Sequence, residues 1–414
     1  MTRILWACWD GGGNLTPSIG IARVLEERGH EVHFFGRSEM VGRVEAAGLA
    51  ATELAEAYTD LDRYSFHPLA TVFGYTSSAT VGEELVRVVA EQNPDVVVID
   101  AMFSAALNVA PRFGRPTAVM LHTFFDRLLD GWRANFAMQS ESRQKAGFDG
   151  LPDLDTLWGE RDVLHVNTLE AFDGDRTVRW NNVVHGAPVL TAERRAVPAT
   201  LPWDDDDLTP LVLLSFSTVP EQRSPEMLQR ALDALSPLPV HVIATTGGIV
   251  DLIELAAPDN ARLVTFADHD ALMNRAAFVI GHGGHGTTMR ALSHGLPIVG
   301  IPAKGADQVP ITQLIEQWKV GSALPGDADV DQIRSAAEEI LATPAFRDNA
   351  HERSLAFEGL DGARLAATSI ERLMPAHQMD ERTTPTRVLG TDGEEGHSLD
   401  RTAQSRVDLR HRET

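Results

Sequence analysis

The sequence predicts an α/β protein built from two doubly wound, Rossmann-like halves that face each other across a cleft. Three observations predict it. Short apolar runs alternate with amphipathic stretches, the pattern of parallel strands covered by helices. That alternation begins twice, near residue 3 and again near residue 210. Between the two series lies a polar run, DDDD at 204–207, with Pro202 and Pro210 beside it, which suits an interdomain linker. The predicted layout is a first domain over 1–200, a linker over 201–207, a second domain over 208–375 and a tail over 376–414.

The first series opens with RILWAC (3–8), a short apolar run of strand length. Gly11, Gly12 and Gly13 make a turn. A helix follows, with Pro17 in its first turn and Gly29 as its stop. EVHFFG (31–36) is the next strand. Residues 81–92 read as a helix, PDVVVID (94–100) as a buried strand ending on an acid, 105–110 as a helix and PTAVMLH (116–122) as a strand. The second series runs through strands LVLLSFS (211–217), VHVIATT (240–246), ARLVTF (261–266), AFVIG (277–281) and LPIVGIP (296–302). Its helices are predicted over 225–236, 308–319 and 330–342, and a last one over 363–374. Beyond Pro375 the chain has very few large apolar residues, so 376–414 is expected to be disordered.

Composition narrows the function. With 36 Lys and Arg against 59 Asp and Glu, the net charge is −23, which argues against a broad nucleic-acid or anionic-membrane surface. The single cysteine, Cys8, excludes an internal disulfide and a cysteine-based zinc site. No apolar run approaches the ~18 residues of a membrane span. The N-terminus lacks a signal-peptide layout, so the expected location is cytoplasmic.

The most informative segment is His282-Gly283-Gly284-His285-Gly286-Thr287-Thr288, between a strand and a helix. Glycines let a ligand approach the backbone, and the helix N-terminus offers free N–H groups to a phosphate. The loop lacks the GK[ST] of a Walker A motif and is not GxGxxG. The two histidines have no matching carboxylate, so phosphate outranks a metal. After the next strand, Asp307-Gln308 offers acceptor and mixed donor–acceptor groups suited to sugar hydroxyls, while Asp307 also stands where a helix N-cap would.

HGGHGTTMRALSHGLPIVGIPAKGADQ resembles the donor-binding signature of the nucleotide-sugar glycosyltransferases that modify natural products. These are the macrolide and antibiotic glycosyltransferases of the UDP-glycosyltransferase superfamily, with the GT-B fold. The resemblance extends to SFSTVPEQ (215–222) and to the N-terminal GGGNLTPSIGIARVLEERGHEV, and spans roughly residues 1–374. It implies a metal-independent, inverting transfer of a hexose or deoxyhexose from a dTDP- or UDP-sugar to an apolar, aromatic or polyketide acceptor. The nucleotide-sugar is a co-substrate, no cofactor is needed, and a homodimer is compatible with it. His282, Gly284, His285, Gly286, Thr287 and Thr288 would hold the pyrophosphate with Ser217 and Thr218; Asp307 and Gln308 would hold the sugar.

Two positions depart from the family. Its Gly-His-x-x-Pro loop carries a base, yet here the loop reads Gly13-Asn14-Leu15-Thr16-Pro17. Asparagine cannot take the proton. The acid that orients the family's histidine matches Asp100. Arg290 stands where the family often has a ribose-binding glutamate, which weakens a preference for uridine over thymidine. Three accounts of Asn14 compete. Another group acts as base, Asp100 through a water, Asp10 or His122; or the acceptor is acidic enough, such as a phenol or an activated carbon; or the protein binds the sugar nucleotide without efficient turnover. The other functions open are a sugar-nucleotide epimerase of the same architecture and a non-catalytic sugar-nucleotide-binding helper. Trp6, Trp9, Phe34, Phe35, Phe73, Phe103, Phe124, Phe125 and Trp132 are the aromatic candidates for an acceptor pocket, with Phe34 and Phe35 better suited to the core.

Deletion of 376–414 is expected to leave the melting temperature nearly unchanged in calorimetry, because a segment this polar adds little to a core. A large drop would show that it docks.

Overall fold

The structure is a computed structural model, and it describes residues 2–174, 180–190, 203, 207–303 and 307–374. Most of the expected linker and all of the expected tail lie outside the described residues. Among the described residues there are two sheets, and every strand pairing in them is parallel.

The strands of the first sheet are β1 (Arg3–Ala7), β2 (Glu31–Gly36), β3 (Ala50–Glu53), β4 (Val96–Asp100), β5 (Thr117–Leu121), β6 (Val163–Val166) and β7 (Val183–His185). Their spatial order is β3-β2-β1-β4-β5-β6-β7. The second sheet holds β8 (Leu211–Ser215), β9 (His241–Thr245), β10 (Ala261–Val264), β11 (Ala276–Gly281), β12 (Ile298–Gly300) and β13 (Gly321–Ala323), in the order β10-β9-β8-β11-β12-β13. The winding direction reverses between β1 and β4 in one sheet and between β8 and β11 in the other. A crevice opens outside the carboxyl ends of the strands at such a switch point. The loops after β1 and β4, and after β8 and β11, are therefore the places to look for chemistry.

Both central strand pairs are buried because they are apolar on both faces. Every residue of β4, β5 and β8 is buried. Trp6 of β1 stacks on Phe34 of β2 with ring centroids 5.1 Å apart, and neither ring is exposed to solvent. Both therefore belong to the core and not to an acceptor pocket.

Helix α1 (Leu15–Glu27) covers one face of the first sheet and α2 (Ser38–Ala46) follows β2. In the second half, α3 (His285–Ser293) follows β11, α4 (Gln308–Gln317) follows β12, and α5 (Gly362–Glu371) is the last described helix. α5 leaves the second half and packs on α1. Its Ala363, Ala366, Ala367 and Ile370 share a core with Ile4 and Trp6. Arg28 Nη1 lies 2.6 Å and His30 Nε2 3.1 Å from the Glu371 carboxylate. The expected second-domain boundary at 375 thus follows the chain order and not the packing.

The two halves also meet directly at the cleft floor. His285 Nε2 is 2.8 Å from Thr168 Oγ1, and its ring stands edge-on to Phe124. Phe172 of the first half packs on Trp318 of the second at 5.3 Å. His165 Nδ1 is 2.9 Å from Ser369 Oγ on α5. His122 bonds Ser18 Oγ through Nε2 at 3.1 Å and Asn167 through Nδ1 at 3.2 Å. Burial above all holds these rings neutral: His122 is pushed down to about 3, and His165 and His285 to about 4.

A histidine with a folded value below its unfolded ~6.5 contributes stability that is complete above pH ~6.5 and is lost as pH falls toward the folded value. Thermal unfolding followed from pH 7 to pH 4.5 is expected to show a steep loss, with each of these three rings accounting for up to about 2 kcal/mol at pH 5. A midpoint that stays flat down to pH 4.5 would contradict this.

Candidate active site

The loop after β1 and the end of β4 meet at the first switch point. Asp100, the last residue of β4, is 3 % exposed and receives three N–H donors. Trp9 Nε1 and the Met102 amide each donate to Oδ1 at 2.9 Å, and Asn14 Nδ2 donates to Oδ2 at 2.8 Å. Burial raises its pKa, and the hydrogen bonds from Asn14, Met102 and Trp9 oppose that rise. The Asn14 amide is equally committed: Nδ2 also donates to the Trp9 carbonyl at 2.9 Å, and Oδ1 accepts from Gly11 N–H at 2.8 Å. The pairing inferred from sequence between residues 14 and 100 is present as a hydrogen bond. Its chemistry is different, because neither atom of the amide can accept a proton near neutral pH.

The Trp9 ring lies against the glycine turn. A Cβ on Gly11 would stand 2.7 Å from the indole, so only glycine fits there. Asp10 is bound as well, with Oδ2 2.6 Å from Arg43 Nη1 and Oδ1 accepting from Gly12 N–H at 3.0 Å. Ser18 Oγ donates to the Asn14 carbonyl at 2.8 Å. His122 Nε2 must then donate to Ser18, which leaves Nδ1 to accept from the Asn167 amide. His122 is a satisfied neutral ring.

At the second switch point, β8 runs into Phe216–Val219 and β11 into His282–Gly284. Ser217 Oγ accepts from Val219 N–H at 3.0 Å and shapes its own loop. Gly283, at φ +75°, is needed because a Cβ there would meet Thr312 at 2.5 Å. Gly284 caps α3 with no side-chain bond, and the first turn of α3 has no acidic residue. The leading N–H groups of the helix have no intrahelical partner, so they and the dipole face an anion site.

The glycine turn of the first half touches the loop after β8 in the second. A Cβ on Gly12 would lie 2.5 Å from Val219 and 3.5 Å from Thr218 Oγ1. Around this contact runs a cavity of about 1460 Å³. Of the residues singled out from sequence, Asp10, Thr218, His285, Gly286 and Thr287 line it, as do Trp9, His122 and Arg290. Asn14, Asp100, Ser217, His282, Gly284, Thr288, Asp307 and Gln308 stand behind that lining. The two rings of this loop are placed differently. His282 folds beneath Gly284, 2.5 Å from where its Cβ would be, and burial pushes it down to about 4. His285 spends Nε2 on Thr168. Backbone and hydroxyls remain for an anion.

The expected sugar pair is also arranged differently. Asp307 faces the first half, with Oδ2 3.4 Å from Thr123 Oγ1, and burial raises its pKa. It stands at the N-cap position of α4 but makes no capping bond. Gln308 accepts from Ala303 N–H at 2.8 Å and donates to Gln222 Oε1 at 2.9 Å. Gln222 is the residue that reaches the cavity. Arg290 is ion-paired with Asp270, which also takes His294 Nε2 at 3.1 Å. Sequence reasoning passed over Gln222, His269 and Thr245, which also line the cavity; Thr245 ends β9, where the strand end alone would have pointed to it, and His269 opens the helix His269–Met273 after β10.

The first half supplies the apolar wall: Met40, Tyr58, Leu69, Phe73, Tyr75, Met102 and Met138. Of the aromatic candidates, Trp9 and Phe73 line the cavity. Phe34, Phe35, Phe103, Phe124, Phe125 and Trp132 are buried in the core.

With this geometry in hand, comparison with known proteins is decisive. Residues 229–358 match the family described as erythromycin biosynthesis protein CIII-like, C-terminal domain. The chain is 25% identical over 413 residues to the demethyllactenocin mycarosyltransferase of Streptomyces fradiae, covering 90% of this chain and 87% of that one. The chain has the GT-B fold, and the relatives it matches are named glycosyltransferases. It is also 28% identical to UDP-glycosyltransferase 2 of Phaeomoniella chlamydospora over 219 residues, 50% of this chain and 48% of that one. The crystal structure of CalG4, the calicheamicin glycosyltransferase, matches it with a TM-score of 0.70 at 21% identity, over 90% of this chain and 98% of that one. No helix among the described residues is long and apolar enough to cross a membrane.

Gly286 tests the anion site. A Cβ there meets nothing within 4 Å, and an acid in the first turn of a helix is favourable for folding. Gly286→Asp is expected to keep the melting temperature but weaken dTDP or UDP binding at least ~10-fold in calorimetry, the scale of one lost charge-assisted contact. Unchanged affinity would place the diphosphate elsewhere.

Proposed function

We propose that this protein moves a hexose or deoxyhexose, with inversion and without a metal, from a dTDP- or UDP-sugar to an apolar natural-product acceptor of aromatic or polyketide type. The observation that carries the reading is the single cavity that joins both switch points. At about 1460 Å³ it exceeds the ~300–1,000 Å³ of a site for one small ligand, and its two ends differ in chemistry. The second half offers glycines, hydroxyls and a helix N-terminus, the groups that suit a diphosphate. The first half offers methionine and aromatic side chains, which suit an apolar acceptor.

In this reading the diphosphate lies on the N–H groups of His285, Gly286 and Thr287 and on the hydroxyls of Thr287 and Thr218. Gln222, oriented by Gln308, reaches the sugar. The acceptor nucleophile enters from the first half and attacks the anomeric carbon on the face opposite the phosphate. The C–O bond to phosphate breaks, and its electron pair leaves with the nucleoside diphosphate. Fixed N–H dipoles stabilise the charge that grows there. The apolar wall of Met40, Phe73 and Met138 favours transfer over epimerisation, which needs no such pocket.

Mass spectrometry of products from a panel of dTDP- and UDP-sugars with aromatic and polyketide acceptors tests this. The expected result is an acceptor heavier by one hexosyl or deoxyhexosyl unit, with free nucleoside diphosphate. Conversion of the sugar nucleotide to an isomer, with no acceptor gain, would overturn it in favour of the epimerase.

A further inference from the structure

We infer that the acceptor is an aryl hydroxyl that reacts as its phenolate, formed without a protein base and seated against the Trp9 indole. The inference rests on the glycosyl-transfer reading above and names the substrate class of that same site.

The first observation is that the candidate bases beside the glycine turn are already engaged. Asn14 is held by three hydrogen bonds and is not basic. Asp100 is buried behind it with three donors of its own. Asp10 reaches the cavity, but Arg43 and Gly12 N–H occupy its two oxygens. His122 has both ring nitrogens bonded. Burial pushes it down to about 3, far from the near-neutral value a general base needs. Glu39, further up the wall, takes the Tyr58 O–H at 3.1 Å. An aliphatic hydroxyl, with an acidity near that of water and far weaker than a phenol's, is not activated by such a set. A phenol, with a pKa of ~10 as in tyrosine, loses its proton to solvent at an appreciable level.

The second observation is the Trp9 ring. It lines the cavity, its N–H is fixed on Asp100, and Gly11 lies directly against it, so the indole plane is set before any ligand arrives. A fixed aromatic face beside the glycine turn favours a flat ring over a flexible chain. The step balances without a proton transfer: the phenolate oxygen bonds to the anomeric carbon as the bond from that carbon to the phosphate oxygen breaks, and the nucleoside diphosphate carries away the electron pair.

The test uses the full chain, UDP-glucose and dTDP-glucose, and two acceptor series, substituted phenols of graded pKa and the matching benzyl alcohols. The expected kcat/KM rises with pH to an inflection that moves with the pKa of each phenol. Benzyl alcohols are expected to react at least ~100-fold more slowly, the value of a missing general base. Asn14→His is expected to raise benzyl alcohol transfer relative to phenol transfer at least ~10-fold, because an imidazole placed against Asp100 can take a proton. Trp9→Ala is expected to raise KM for the phenols ~10-fold, the scale of one aromatic contact, while calorimetric affinity for dTDP and UDP holds. One common inflection for every phenol would reveal a protein base and overturn the inference. So would benzyl alcohols that match the phenols, or dTDP and UDP that bind while no phenol is turned over. If neither nucleotide binds, the transfer reading itself fails and this inference falls with it.

Discussion

A buried carboxylate at the end of β4 organises the acceptor side of this protein. Asp100 sits where the winding of the first sheet reverses, so the chain on either side must diverge around it. A charge at that depth persists only if it is met by donors. Trp9, Asn14 and the Met102 amide meet it, and each bond fixes a different part of the site. The Trp9 bond sets the indole plane, the Asn14 bond ties the start of α1 to β4, and the Met102 bond turns the chain away from the strand. Losing one partner would leave an uncompensated buried charge, which typically costs about 3–5 kcal/mol. The same constraint explains why the turn is glycine-rich: with the indole held on Asp100, there is no room for a side chain at Gly11.

The second half works by a different physical device. Its loop after β11 contributes shape and dipole more than side-chain charge. Gly283 and Gly284 allow the chain to fold tightly over Thr312 and His282, and that fold points the start of α3 into the cleft. The His285 ring ties this loop to Thr168 across the cleft floor, while its backbone N–H remains at the start of α3. Because Gly12 and Val219 touch directly, the position of each half is felt at the reacting centre. α5 and the Phe172–Trp318 contact hold that approach in place.

The fold was legible because its strongest signals are local. β1, β4, β5, β8 and β11 are apolar runs that no other element explains. The elements that escaped notice lack such a signal. β7 and β13 are three residues long. The helix Leu129–Lys145 buries Gln139 and Arg143 beside Trp132 and Phe136, so no clean apolar stripe marks it. The candidate site was legible as a set of segments and less so as side-chain roles. Strand–glycine–helix spacing located the loop after β11, and the family resemblance located the Asn14–Asp100 pair. It could not show which way His282 and Gln308 face, because that depends on Gly284, Ala303 and Gln222, contacts made only after folding. Aromatic composition overstated the acceptor pocket, since most of those rings are needed for the core.

A crystal structure with dTDP or UDP and a bound phenol tests the central claim, that the donor end is built for diphosphate and the acceptor end has no free base. The account predicts the diphosphate at the N-terminus of α3 beside Thr218, the phenol ring on Trp9, and the Asn14 amide still bonded to Asp100 and Gly11. An Asn14 side chain swung out to contact the nucleophile, or a diphosphate bound in the first half, would contradict it.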